Sequence, residues 1–234
     1  MKFFLLITIF CTIFYFNRVD NTLTVEDKIY ISKYTKNIQK INKNRTFEEE
    51  IEFIKNVQDV VLLRSPLNKP MPFDVLREPK DVYISRLGSC VERSRIIEKI
   101  LRSFNFQVRH VSIYSTIQTK SKFISLITPN NPSHAVTEIR TLKGWIVIDS
   151  NYRWVAKKSN GQYLNLQEIQ NINSTTNKID WNERPLEPIF NHTFTYVYGL
   201  YSRHGKYYPP FNFIPDINWN EFLYNITEYL EYEI

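Results

Sequence analysis

Apolar residues at Ile51, Ile54, Val57 and Val61 recur every three to four positions, the spacing of one face of a helix. Thr46-x-x-Glu49 stands just before them. In such a capping box the Thr side chain takes an orphan N–H and the Glu reaches back to the cap, so a helix is expected to about Leu63. The arrangement returns at Ser89-x-x-Glu92, followed by Ile97, Ile100, Leu101 and Phe104 at helical spacing. It predicts an amphipathic helix whose first residue is Cys90. Val25 to about Ile41 has the same rhythm but is very polar.

Elsewhere the period shortens. Val108 to Tyr114 reads as a strand, and Ser133 to Arg140 and Trp145 to Asp149 are two β-rich runs joined by Thr141-Leu142-Lys143-Gly144. The pair predicts a hairpin. Side chains alternate faces along a strand, and fifteen positions separate His134 from Asp149. Any turn with an even number of residues therefore puts both on one face. Pro66, Pro70, Pro72 and Pro79 mark an irregular connection ahead of Cys90, and residues 115–132 form a polar loop able to border a cleft. Past Tyr152 the chain is polar, then aromatic from Trp181 to Phe213, with prolines at 185, 188, 209, 210 and 215. That reads as an extended wrap. Trp219, Phe222, Leu223, Ile226 and Leu230 predict a closing amphipathic helix, and no internal repeat interrupts the order.

The first segment departs from all of this. Lys2 precedes an unbroken apolar run from Phe3 to Phe16, closed by Arg18. The run is shorter than the roughly 20 residues a spanning helix needs and fits the apolar region of a secretory signal. No small-x-small cleavage site follows, so an uncleaved anchor is also compatible. The expectation is a signal peptide or membrane anchor over 1–17 and one domain over 22–234. Its core would lie at about 46–155, with the aromatic wrap at 156–234. The protein would be exported or membrane-anchored and extracytoplasmic, in the periplasm, at the cell surface or secreted.

Composition narrows the chemistry. Charged residues at 23% and hydrophobic ones at 43% describe a globular chain. The formal net charge is +6, and its excess falls in residues 1–120. No dense Lys/Arg block or nucleic-acid signature accompanies it, so no nucleic-acid partner is expected. Two cysteines exclude a disulfide scaffold and a four-cysteine zinc site. His110, His134, His192 and His204 show no metal-site spacing, and there is no Gly-rich phosphate loop. No metal or cofactor is expected. Sequons at Asn44, Asn173, Asn191 and Asn225 are no more than so Asn-rich a chain produces by chance.

What remains is Cys90, His134 and Asp149. Unpaired N–H groups and the positive dipole end at a helix start favour a thiolate. A neighbouring imidazole activates the thiol and protonates a leaving amine, and a carboxylate fixes the ring's tautomer. Gly88, just before, would let a substrate backbone come close. The sulfur is expected within about 4 Å of a His134 ring nitrogen.

Here the residues carry a resemblance. The stretch GSCVERSRIIEKILRSFNFQVRHVSIY, followed by SHAVTEIRTLKGWIVIDSN, resembles the transglutaminase-like core of the papain-like cysteine enzymes. In that family Gly-x-Cys opens a helix, a strand follows, then His-Ala on a strand, then a Gly/Trp hairpin ending in an apolar residue and Asp. The likeness covers about residues 80–155. One departure is Ser150-Asn151 after Asp149, where Pro is frequent. The resemblance implies an α+β fold, with the nucleophile helix packed on an antiparallel sheet. It implies Cys90 as nucleophile, His134 as general acid/base and Asp149 as its orienting partner. The expected activity is cysteine-dependent acyl transfer on an amide of a protein or peptide, hydrolysis being favoured over transglutamination. The competing expectation is an inactive domain of the same fold that binds a peptide or glycan polymer.

Overall fold

A computed structural model describes residues 8–9, 11–12, 15, 17–67, 69–176, 178–184, 187–205 and 216–226. Within them the chain is a mixed helix and antiparallel-sheet protein. The helices are α1 (Val25–Tyr34), α2 (Phe47–Arg64), α3 (Pro79–Ser85), α4 (Cys90–Ser103), α5 (Lys122–Ile127), α6 (Leu166–Thr175) and α7 (Trp219–Phe222). Strands β1 (Gln107–Ser115), β2 (Ser133–Thr141), β3 (Gly144–Ile148) and β4 (Phe194–Tyr198) form one sheet in the order β3-β2-β1-β4, every pair antiparallel. β5 (Leu200–Tyr201) and β6 (Asp216–Ile217) make a second, two-stranded ladder.

Both long helices start where the capping boxes put them. Thr46 Oγ1 accepts from Glu49 N at 3.2 Å and Thr46 N donates to Glu49 Oε2 at 2.7 Å. The stripes that follow are fully buried: Ile54, Val57 and Val61 on α2, and Ile97, Ile100 and Leu101 on α4. They pack on one sheet face through Val108, Ile139, Ile146 and Ile148. The other face carries Val111, Ile113, Val136 and Val147, covered by Trp154, Leu164, Leu166, Ile169 and Phe190. The sheet is thus buried between helices α1–α4 and the segment from Trp154 to Phe190.

The β2–β3 ladder runs to Thr141 opposite Gly144. Only Leu142 and Lys143 form the turn, an even number, and Gly144 at φ 100° closes it in a conformation that suits glycine. Thr137 pairs with Ile148. The next inward-facing position, Asp149, therefore shares a face with Val136 and His134.

Several expectations change. The polar N-terminal helix stops at Tyr34, not near Ile41. The proline-rich connection contains α3, because Pro79 occupies the first helical turn, where its missing N–H costs nothing. The polar loop contains α5, and the segment expected as a wrap supplies α6 and the strand β4. The aromatics at Tyr207, Tyr208, Phe211 and Phe213, Pro185, Pro209, Pro210 and Pro215, and Leu230 lie outside the described residues, as does most of the apolar run at Phe3–Phe16. Among the described residues no helix is long and apolar enough to cross a membrane.

Candidate active site

The turn that leads into α4 is fastened from several sides. Glu92 reaches back so that Oε2 accepts from Ser89 N at 2.6 Å and from the Ser89 hydroxyl. Its Oε1 accepts from Arg77 Nε at 2.5 Å. Burial works against ionisation of Glu92, but these bonds outweigh it and hold its pKa below the usual range. Gly88 N donates to Lys69 O at 2.6 Å. A Cβ at Gly88 would stand 2.2 Å from Ser65 Oγ. The glycine therefore admits the end of α2; the space expected for a substrate backbone is filled by Ser65. Cys90 follows as the first residue of α4, partly exposed.

His134, second residue of β2, is buried at 3% exposure, edge-on to Phe190 with ring centroids 6.1 Å apart. Its Nε2 lies 3.3 Å from Asp149 Oδ2. Burial pulls the pKa of the imidazole down. The charge and hydrogen bond of Asp149, with a further contribution from nearby Cys90, overcome this and hold it well above the usual histidine value. The thiol is thus close enough to interact with the ring. His134 Nδ1 is buried without a hydrogen-bond partner.

Asp149 is completely buried. Its Oδ1 accepts from Asn151 N at 2.5 Å and Tyr152 N at 3.2 Å, which leaves Oδ2 for His134. The turn is pinned from outside by Gln58 on α2. Its Nε2 donates to the carbonyls of Asp149, Tyr152 and Trp154 at 2.8, 3.0 and 2.8 Å. Ser150 Oγ donates to Ala135 O at 2.5 Å, tying the turn to the strand beside His134. So Ser150-Asn151, the departure noted in the sequence, supplies bonds of its own.

The imidazole stands against a buried carboxylate, and Cys90, at a helix start, is within electrostatic reach of the ring. Such a set can activate a sulfur, donate a proton to a leaving group and keep the ring in one orientation. Gln58, Arg93 and Asn151 were not foreseen. Two of them had left a signal. Gln58 falls four positions after Ile54, and Arg93 four before Ile97, so each is a polar residue on an otherwise apolar helical stripe.

Among the described residues no group of three or more His, Cys, Asp or Glu side chains could hold a metal ion. A cavity of about 1210 Å³ lies elsewhere, lined by Arg102, Val108, Arg140, Trp145 and Trp219 among others. Arg102 is at the far end of α4 from Cys90, so this space does not open on the three residues.

Residues 35–150, which include Cys90, His134 and Asp149, match the family model of the Transglutaminase-like superfamily. No curated protein matches the chain. Two solved structures are distantly similar to it. One is named "a Putative Cysteine Protease from Cytophaga hutchinsonii"; it is 15% identical, with a TM-score of 0.39, over 61% of this chain and 42% of that one. The other is named "a Putative Protease from Parabacteroides distasonis"; it is 11% identical, with a TM-score of 0.35, over 59% of this chain and 27% of that one. The chain thus spans less than half the length of either.

Proposed function

Residues 35–150 belong to the transglutaminase-like superfamily, and from that premise we propose that the protein is a cysteine-dependent enzyme acting on amides of a peptide or protein. Cys90 is its nucleophile, His134 its general acid/base and Asp149 its orienting group. The observation that carries the reading is the buried His134–Asp149 pair at 3.3 Å, with Cys90 as the first residue of a helix.

The chemistry runs in two halves. With its proton held by His134, the Cys90 sulfur attacks the carbonyl carbon as a thiolate, a C–S bond forms, and the oxygen becomes an oxyanion. The Cys90 backbone N–H has no intrahelical partner by helix geometry and is placed to receive that charge. Collapse breaks the C–N bond, His134 gives its proton to the departing nitrogen, and a thioester remains. Water then adds to the thioester while His134 takes its proton; the C–S bond breaks, the acid leaves, and the thiolate beside protonated His134 is restored. An amine in place of water would give transamidation. Hydrolysis is favoured because water is abundant unless something excludes it.

The test is a panel of peptide and glutamine amides, read by amine or ammonia release, with and without an added primary amine. Release is expected from the wild type and not from Cys90→Ala. Equal signal from both would favour a non-catalytic domain that binds a peptide or glycan polymer.

A further inference from the structure

Arg93 lies one turn after Cys90 on α4 and is 1% exposed, one of the largest fully buried side chains among the described residues. Its Nε donates to Ser65 O at 2.8 Å, and its Nη2 donates to Pro66 O at 3.0 Å and Gly88 O at 2.9 Å. Its Nη1 donates to Asn151 Oδ1. These partners are three backbone carbonyls and one amide, none of them charged. A buried charge is usually paired with an opposite charge in contact. Here no carboxylate among the described residues hydrogen-bonds the guanidinium: Glu92, Asp149, Glu187 and the Cys90 sulfur act on it electrostatically only. An arginine keeps its proton throughout the working pH range, so the positive charge is permanent.

The bonds also form a path. Asn151 is held at Oδ1 by Arg93 and at Nδ2 by Glu187 Oε1. Its own N–H donates to Asp149 Oδ1 at 2.5 Å, and Asp149 Oδ2 faces His134. At the other end the guanidinium grips the carbonyl of Gly88, two residues before Cys90.

We infer that Arg93 is a positioning residue of this site: it ties the turn after Asp149 to the turn before Cys90, and it sets a fixed positive charge within electrostatic reach of the sulfur. The inference rests on the reading of Cys90 as a nucleophile. The two parts are separable. The charge favours thiolate over thiol, whereas the hydrogen bond to Asn151 aims the carboxylate that aims the imidazole.

The experiment uses the full chain carrying Cys11→Ser, so that Cys90 is the only thiol. Iodoacetamide alkylation is followed against pH, and kcat and KM are measured on an amide that the wild type cleaves. Arg93→Met should slow alkylation at mildly acidic pH by about 10-fold and leave the alkaline plateau unchanged, a shift of about one pH unit in the midpoint. Arg93→Lys should keep the midpoint near the wild type's but lower kcat by about 10-fold with little change in KM. Asn151→Ala should do the same. A folded Arg93→Met with the wild-type profile, or Asn151→Ala with wild-type kcat, would overturn the inference. Should Arg93→Met fail to fold, the half-buried Asn151 still decides it. Alkylation needs no substrate, so the two readings fail differently. A wild-type profile matching free cysteine sinks the nucleophile itself. A shifted profile indifferent to Arg93→Met, or a wild-type kcat in Asn151→Ala, sinks only the role of Arg93.

Discussion

His134 is under opposite pulls, and their balance has a measurable sign. Burial opposes its protonation, while Asp149 and the Cys90 thiol favour it and win. The unfolded value is about 6.5. A histidine whose folded value lies above that contributes stability that is fully present below about pH 6.5 and is lost as pH rises through the folded value. In a Cys90→Ser background, where the thiol cannot titrate, urea stability should fall as pH rises above about 6.5. His134→Gln should flatten that slope; an equal slope in both proteins would deny the ion pair. On activity, Cys90→Ala should abolish turnover, and His134→Ala should lower kcat by about 10²–10⁴-fold. Gly88→Ala is a different kind of change. Its Cβ would collide with Ser65 Oγ, so calorimetry should show a loss of about 1–3 kcal/mol, as overpacking costs. At this scale the sequence was informative wherever chemistry follows from local spacing. Cys90 after a capping box, and His134 fifteen residues before Asp149 across an even turn, could be read directly. Gly88 was misjudged because what fills its side-chain space is Ser65, the residue that caps the end of α2.

At the scale of elements, α1, α3 and α4 are joined by charge. Glu78, at the cap of α3, accepts from Arg95 Nε at 3.0 Å and Nη2 at 2.7 Å, and pairs with Lys99 Nζ at 2.7 Å. Lys99 also reaches Asp27 on α1 at 2.8 Å. Burial raises the pKa of Glu78, but the two cations outweigh it and bring it to about 2. A carboxyl depressed in the folded state contributes stability that is present above its unfolded value and lost as pH falls through the folded one. Glu78→Gln should therefore lower stability at pH 7 by about 1–3 kcal/mol, because the buried cations Arg95 and Lys99 lose a partner. The difference from wild type should shrink as pH drops from about 4.5 toward 2. Acid titrations of both proteins by circular dichroism measure it, and a difference that does not change with pH would contradict the assignment. None of this pairing is visible in sequence, since the partners are far apart along the chain. Three of the elements that escaped did so for more local reasons. Pro79 reads as a breaker although it starts α3. Asn165-x-x-Glu168 with Leu166 and Ile169 was a usable helix signal inside a polar stretch. β4 is a run of aromatic and branched residues whose strand character depends on pairing with β1.

Across the whole molecule, segments from the two ends of the sequence meet beside the far end of α4. Val19 N donates to Ile217 O at 2.8 Å, and Ile217 N donates to Asn17 O at 2.7 Å. Asn21 Nδ2 donates to Glu221 Oε1 at 2.8 Å and Tyr201 Oη at 2.9 Å, and Arg102 donates to the same Glu221 oxygen at 2.5 Å. Tyr201 Oη in turn donates to Glu98 Oε2 at 3.2 Å, so residues 17–21 are fastened to the helix that begins with Cys90. The residues just before them differ. Ile9 and Tyr15 are 50% and 74% exposed, and Cys11 is exposed as well. An apolar run that leaves such residues in water fits the proposed role of an export signal or anchor better than that of a core element. The bonds of Asn17 and Val19 to Ile217 make residue 17 part of the domain and move its proposed start from 22 to 17, and two truncations test this. A chain starting at Asn17 should stay soluble with the melting temperature of the full protein. A chain starting at Thr22 loses Val19, which is 2% exposed, together with the bonds of Asn21. Burying one Val-sized side chain contributes about 1.5–3 kcal/mol, so this second truncation should melt several degrees lower. It should also leave Glu221 and Tyr201 short of a donor. If the Asn17 start already melts as low as the Thr22 start, the apolar run is packed as part of the domain, and its reading as a separate targeting segment fails.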